Sequence, residues 1–287
     1  DELRPLSLDL HGDDTVPLAV SGVMADRLGL AMRFARSPGS AVPELRAVAL
    51  RLGPGGAPAV PRGEGVQVSG AMEVLDPADW RGLLMALNAS ESRAGAAPAL
   101  AFAGAELDVQ RLRLAGYDVP AVRVRAAREY GGYSAALQGE GSSGSIRLSS
   151  TGDALSARFA ALQLIAAPKQ PAAVSTTSAE PTDPTRAPTL DIAVDALRIG
   201  GKPFGALALV TERSANGQRL RRFGLSGGIA TLTAEGEWRR SQGMTEAQSR
   251  FKVTSDDLAG TLEGLGFAAT VAGRNASAPR NFASAPS

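Results

Sequence analysis

Thr189-Leu190-Asp191-Ile192-Ala193-Val194-Asp195-Ala196-Leu197-Arg198-Ile199-Gly200-Gly201-Lys202-Pro203-Phe204-Gly205-Ala206-Leu207-Ala208-Leu209-Val210 is the stretch on which the fold turns. Apolar side chains take every second position through Leu190, Ile192 and Val194, and again at Leu207 and Leu209, with aspartate or alanine between them. Successive side chains of an extended chain point to opposite faces, so a period of two describes a strand with one apolar and one polar face. Gly200-Gly201 separates the two runs, and a glycine pair between alternating runs is a hairpin signal. The stretch reads as two antiparallel strands joined by a tight turn.

The same grammar extends in both directions. Leu6, Leu8 and Leu10, then Leu28, Leu30, Met32 and Phe34, then Val48, Leu50 and Leu52, then Val122, Val124 and Ala126 all alternate. Turn signals punctuate them, among them Ser37-Pro38-Gly39, Gly53-Pro54-Gly55-Gly56, Gly131-Gly132, Thr151-Gly152-Asp153, Asn216-Gly217 and Ser226-Gly227-Gly228. The expectation is an all-β chain, an antiparallel meander of roughly seventeen short strands. At about 4.8 Å per strand, such a sheet extends roughly 80 Å along its hydrogen-bonding direction.

Two segments leave this period. Asp76-Pro77 followed by Trp80, Leu83, Leu84 and Leu87 offers a cap, a first-turn proline and a helical stripe, predicting a short helix over 77–88. Ser255 followed by Asp256, Leu258, Leu262 and Leu265 predicts another over 256–265. Residues 167–188 are rich in Pro, Ser, Thr and Ala with little to bury, and are expected to be a disordered loop, as is the tail 272–287. The chain thus divides into a β segment over 1–166 and a second over 189–271. A weak repeat links them. Leu107-Asp108-Val109 matches Leu190-Asp191-Ile192, the set Leu112, Gly116 and Val119 matches Leu197, Gly201 and Phe204, and Gly144-Ser145-Ile146 matches Gly227-Gly228-Ile229. Repeats of this kind build sheets whose length follows chain length.

Composition excludes most chemistries. The 287 residues contain no cysteine and one histidine, His11, so disulfides, thiolate metal sites and multi-histidine centres are ruled out, and no cofactor is expected. Thirty basic residues against twenty-nine acidic ones leave no field to hold a polyanion, and no nucleic-acid partner is expected. No charge-free apolar run reaches the roughly 18 to 20 residues of a spanning helix.

Short motifs resolve into turns. Gly224-Leu225-Ser226-Gly227-Gly228 fits a hydrolase nucleophile elbow, but strand-like residues flank it on both sides where the elbow needs a helix after Ser226. Gly139-Glu140-Gly141-Ser142-Ser143-Gly144 fits a dinucleotide fingerprint, yet Ile146-Arg147-Leu148 continues as a strand, giving a flexible hairpin instead. Asp256-Asp257 reads as helix-capping charge, and His11 beside Asp13 and Asp14 as surface. Catalysis is not expected. Two architectures remain open: a β-sandwich burying the apolar face between two sheets, or one sheet curled into an open trough that holds flexible acyl chains.

Particular phrases carry a resemblance. Val48-Ala49-Leu50-Arg51-Leu52-Gly53, Val66-Gln67-Val68-Ser69-Gly70 and Val74-Leu75-Asp76 leading to Trp80 are one group; the quoted stretch from Leu190 to Leu207, Leu232-Thr233-Ala234-Glu235-Gly236-Glu237-Trp238 and Ser255-Asp256-Asp257-Leu258 through Leu265-Gly266-Phe267 are another. In this order, over most of residues 40–270, the chain resembles the large AsmA-like bacterial proteins of the YhdP type. The resemblance implies a long β-groove in the periplasm of a Gram-negative bacterium, anchored in the inner membrane and conducting phospholipids between inner and outer membranes. It also implies that this chain is an internal or C-terminal segment, since the family's anchor helix is not in it; the proline-rich stretch 167–188 is a departure from the family's groove. Under this reading the alternating aliphatic positions are the groove lining: Leu107, Val109, Leu112, Leu114, Val122, Val124, Ile146, Leu148, Ile192, Val194, Leu197, Ile199, Leu207, Leu209, Leu225 and Ile229. One bulge reverses which face a strand turns inward, so the sequence does not fix the face. Within the same architecture the alternative is a TamB-like scaffold for outer-membrane protein assembly; outside it, a compact β-sandwich binding module.

Overall fold

The computed structural model describes residues 7–11, 19–24, 27–36, 43–77, 100–114, 116–167, 183–241, 244–255 and 280–283. Sixteen strands, hydrogen-bonded in chain order, make one open mixed sheet, with no helix among the described elements. The predicted helices over 77–88 and 256–265 lie outside the described residues, apart from Pro77.

The strands fall into two compact units. The first holds β1 (Ser7–His11), β2 (Ala19–Met24), β3 (Leu28–Ala35), β4 (Glu44–Leu52), β5 (Gly65–Leu75), β6 (Phe102–Leu114) and the Ala121–Glu129 portion of β7 (Tyr117–Glu129). The second holds the opening residues of β7, then β8 (Gly132–Gly139), β9 (Ser143–Ser149), β10 (Ala154–Ala166), β11 (Thr189–Ile199), β12 (Lys202–Ser214), β13 (Gly217–Gly227), β14 (Ala230–Ser241), β15 (Met244–Ser255) and β16 (Arg280–Ala283).

The meander expected from the sequence is interrupted three times. β4 and β5, β5 and β6, and β10 and β11 pair in parallel. The reason is the connection: parallel neighbours need a crossover of a dozen or more residues, and the intervals 53–64, 76–101 and 167–188 supply it. Gly53-Pro54-Gly55-Gly56 is therefore the start of a crossover and not a hairpin turn.

In chain order a pattern repeats. A strand enters parallel to its predecessor, and four more follow through short connections, first as β6–β10 and then as β11–β15. Burial repeats with it. Val109, Leu112 and Val119 are 2%, 4% and 0% exposed; Val194, Leu197 and Phe204, each eighty-five residues on, are 1%, 4% and 0%. In both copies the buried position shifts parity between the first two of these, and in β11 a register shift between Val194 and Leu197 marks a bulge. The spacing of 85 carries the match back to Leu107 and Ile192, two residues beyond the pairing suggested by the Leu-Asp-Val motif. The turn glycines Gly116 and Gly201 share positive φ (84° and 79°), and each copy bends again just after its buried anchor, at Ala121 (φ 43°) and Gly205 (φ 80°).

Candidate functional site

Registered neighbours in a sheet project to the same side, so the pairings assign faces directly. In the second unit one row runs Leu137, Gly144, Phe159, Val194, Leu207, Leu225, Leu232, Val253 across β8–β15. The next row runs Ala135, Ile146, Ala157, Ile192, Leu209, Phe223, Ala234, Phe251. Neither row contains a polar side chain. The row between them on the opposite side, Ala136, Ser145, Arg158, Ala193, Ala208, Gly224, Thr233, Lys252, is small or polar throughout. Through these two rows the unit is a two-faced sheet with an apolar side; toward the β12–β13 turn the same side carries Thr211, Arg213, Gln218 and Arg240.

The first unit follows the same scheme with a revealing difference. Val20, Met32, Val48, Val66 and Phe102 form one apolar row; Gly22, Leu30, Leu50, Val68 and Ala105 form the next. The reverse side carries Gly29, Ala31, Ala47 and Ala49, and the 53–64 crossover lies against it. Arg33 fixes that crossover, its Nε donating to the Pro61 carbonyl at 3.0 Å and Nη2 to those of Arg62 (3.3 Å) and Gly63 (3.0 Å). Pro58 and Pro61 are buried, and Ala31, Ala47 and Ala49 are 0%, 0% and 6% exposed. Leu30, Met32, Val48 and Leu50 on the other side are only half-buried. The chain thus covers its alanine face with its own crossover and leaves the large aliphatic side chains of β3 and β4 partly open, while Val66, Val68 and Phe102 farther along the same rows are buried.

The sixteen expected lining residues divide by burial. Leu107, Val109, Leu112, Val122, Val124, Val194, Leu197, Ile199 and Leu225 are buried, so they act as packing in the chain as it stands. Leu114, Ile146, Leu148, Ile192, Leu207, Leu209 and Ile229 are half-buried and still offer apolar surface. None is fully exposed. Ile146, Ile192 and Leu209 share one row, and Val194, Leu207 and Leu225 share the next. Leu28, Leu30, Met32, Phe34, Val48 and Leu50 were not among the expected lining; they are half-buried large side chains of β3 and β4, and their strict alternation was the signal that could have found them.

The charged face is held by cross-strand ion pairs. Arg123 Nε meets Asp108 at 2.7 Å, Arg125 meets Glu106 at 3.0 Å, Arg111 meets Glu73 at 2.6 Å and Arg158 meets Asp191 at 2.6 Å. The Arg123 hydrogen bond holds the Asp108 carboxyl below its ordinary pKa and raises that of Arg123 in turn. These pairs are exposed and weak individually, but they keep acids and bases matched on the solvated side. A concavity of about 760 Å³ on β12–β15, lined by Arg219, Arg222, Glu235, Glu237 and Arg250 among others, has the same mixed character.

The motifs fall where strands require turns. Ser226 lies in β13, registered with Ala206, and a hairpin into β14 follows it in place of a helix. Gly139 and Ser142 close the β8–β9 hairpin with a 2.7 Å backbone bond, and the buried Ser142 hydroxyl accepts the Gln163 amide at 3.0 Å, pinning the hairpin tip to β10. His11 pairs through its backbone with Ala19, and Asp256-Asp257 lies outside the described residues. Among the described residues no cluster of three or more His, Cys, Asp or Glu could hold a metal ion, and no helix is long and apolar enough to cross a membrane.

The model of the family described as YhdP protein matches residues 1–283. The chain belongs to the YhdP family. No curated protein and no solved structure matches it. In this YhdP-family chain, sheet rows that are apolar on one side recur within each unit.

Proposed function

We propose that this YhdP-family chain is a segment of an apolar β-surface that carries phospholipid acyl chains in the periplasm, as part of an inner-membrane-anchored protein serving transfer between inner and outer membranes. The observation that supports it most directly is the pair of wholly apolar rows across β8–β15. Eight strands about 4.8 Å apart extend such a row by roughly 34 Å, longer than one acyl chain. An acyl chain leaving a bilayer for water loses about 0.8 kcal/mol per methylene, and a continuous aliphatic surface returns part of that loss at every step. No side chain on the rows fixes register by hydrogen bonding, so a bound chain slides without crossing a barrier at each strand. The charged reverse face keeps the segment soluble.

The test is native mass spectrometry with lipid extraction on the chain purified without detergent from a periplasmic expression host. Copurifying phospholipid that is lost in Ile192→Asp and Leu207→Asp is the expected result. A lipid-free chain, or lipid retained in full by both variants, contradicts the reading.

A further inference from the structure

Opposite charges that face each other across neighbouring strands ordinarily meet. On the polar side of β14 and β15, Arg239 and Glu246 are registered partners, and the guanidinium lies 3.2 Å from the carboxylate. Two more registered partners on that side, farther along the same strands, stay apart. Glu235 is registered with Arg250, and Glu237 with Arg219 on β13, yet neither forms an ion pair. Arg219 turns the other way, toward Glu212 on β12 at 3.9 Å, where Arg221 also ends at 3.4 Å. Among the described residues, Arg222, Glu235, Glu237 and Arg250 have no partner of opposite charge.

A bulge supplies the excess of arginine. Val210 is registered with Arg222 and Thr211 with Leu220, so Arg221 is an extra residue in β13. Arg221 and Arg222 are both exposed, while Leu220 and Phe223 on either side of them stay half-buried. Three of the four residues Arg219–Arg222 thus reach the polar side, where strict alternation would send two. They line the concavity of about 760 Å³ together with Arg250, Glu235 and Glu237. The two carboxylates of β14 lie beside the arginines of β13, one strand away. Exposed ion pairs are weak, so leaving these groups unjoined costs the fold little and keeps charges of both signs available in one recess.

We propose that this recess binds a phosphate–ammonium zwitterion of the phosphoethanolamine class, its phosphate on Arg222 and Arg219 of β13 and its ammonium on Glu235 and Glu237 of β14. A simple anion would be drawn against two unpaired carboxylates, and a simple cation against four guanidiniums; among the described residues no acidic cluster could hold a metal ion. Phosphate suits the basic half because its several oxygens accept from more than one guanidinium fork at once. The two-carbon linker of phosphoethanolamine sets its charges a few ångströms apart, comparable with the spacing of about 4.8 Å between neighbouring strands. A lipid headgroup and a soluble phosphodiester present this same group. The recess is on the side of the sheet away from the apolar rows, so the proposal does not rest on the acyl-chain reading.

The experiment titrates the full chain with glycerophosphoethanolamine and follows the arginine Nε–Hε signals by NMR. Saturable shifts are expected at Arg219 and Arg222, with Arg123 and Arg158, already paired, unmoved. Arg222→Gln and Glu235→Gln, both at exposed positions, are each expected to weaken binding about tenfold, the worth of one charge-assisted hydrogen bond. Inorganic phosphate and ethanolamine alone are expected to bind about tenfold or more weakly than the zwitterion. Flotation with vesicles of phosphatidylethanolamine and phosphatidylcholine separates the sources: retention that Arg222→Gln abolishes assigns a lipid headgroup, and binding of the soluble compound without retention assigns a soluble one. The proposal is overturned by the lack of any saturable shift in the recess. It is equally overturned if inorganic phosphate binds as tightly as the zwitterion and Glu235→Gln tightens it. Neither result touches lipid copurification and its loss in the Ile192 and Leu207 variants, so the two readings fail separately.

Discussion

Ile192 and Val194 are two residues apart on one strand and one face, yet aspartate at the two positions has opposite consequences. Val194 is 1% exposed, registered between Phe159 and Leu207. Val194→Asp removes an apolar side chain worth about 1.5–3 kcal/mol and leaves a carboxylate with no partner on either neighbouring strand, a further cost of about 3–5 kcal/mol. The total is comparable with the whole stability of an ordinary domain, about 5–15 kcal/mol. Ile192 is half-buried, between Ala157 and Leu209, so an aspartate there keeps part of its hydration and removes about 1 kcal/mol of burial. Urea unfolding followed by circular dichroism reads the first effect, and native mass spectrometry of copurified lipid reads the second. Val194→Asp is expected to unfold or to lose most of its midpoint. Ile192→Asp is expected to stay folded and to lose lipid, because a bound tail would have to desolvate the new carboxylate. A folded Val194→Asp with normal midpoint, or an Ile192→Asp that unfolds, would falsify the division of the face into packing and contact residues.

Other substitutions probe separate links. Phe204→Ala, at a side chain with no exposure, is expected to cost about 3–5 kcal/mol, whereas Phe251→Ala at 39% exposure costs under about 1 kcal/mol, both from urea midpoints. Ala121→Gly is expected to raise the melting temperature, because an L side chain at φ 43° carries about 1–2 kcal/mol of strain that glycine does not; an unchanged or lower value refutes the strain. Asp108, Asp153 and Asp183 all titrate below the usual aspartate range, held there by the Arg123 hydrogen bond, by the Ser149 and Thr151 hydroxyls, and by the Thr185 hydroxyl and amide with Arg240 beyond. Their contribution is present above the unfolded-state value of about 3.9 and is lost as pH falls from there through the depressed folded values. Melting temperature is therefore expected to fall on that acid limb, less steeply in Asp183→Asn, and a slope identical to the parent's argues against this assignment.

The strands were readable because burial on a two-faced sheet imposes a period of two on the side chains, and that period is local. Leu190 to Leu209 and Leu107 to Val124 needed nothing but neighbouring residues to be recognised. The parallel entries of β5, β6 and β11 were not readable, since a glycine-proline turn records that the chain leaves a strand and carries nothing about where the next one pairs. Gly53-Pro54-Gly55-Gly56 has the composition of a hairpin and begins a crossover. Depth of burial escaped for a related reason. Val194 and Ile192 are equivalent in sequence pattern, and what separates them is the packing from strands distant in the chain. The bulge between Val194 and Leu197 was equally hidden, although Asp195-Ala196 left a visible break in the alternation.

An ordinary sheet with one layer against it puts its large aliphatic side chains under the cover and its small or polar ones in water. On β3 and β4 the first unit reverses that order. Its crossover, with Pro58 and Pro61 buried and Arg33 gripping three carbonyls, covers alanines that have almost nothing to gain from it, while Leu30, Met32, Val48 and Leu50 keep part of their surface open. Covering the leucine side instead would have returned about 25 cal/mol for each square ångström removed from water, so leaving it open forgoes stability the chain could have had. On β3 and β4 these aliphatic residues stay half-buried, whereas Val66, Val68 and Phe102 in the same rows are buried, so the partly open surface is confined to those two strands. Under the proposed function that surface is taken up by something outside the fold, and a mobile hydrocarbon chain, which asks for area and smoothness with no fixed partners, is an occupant that a surface built from register alone would suit.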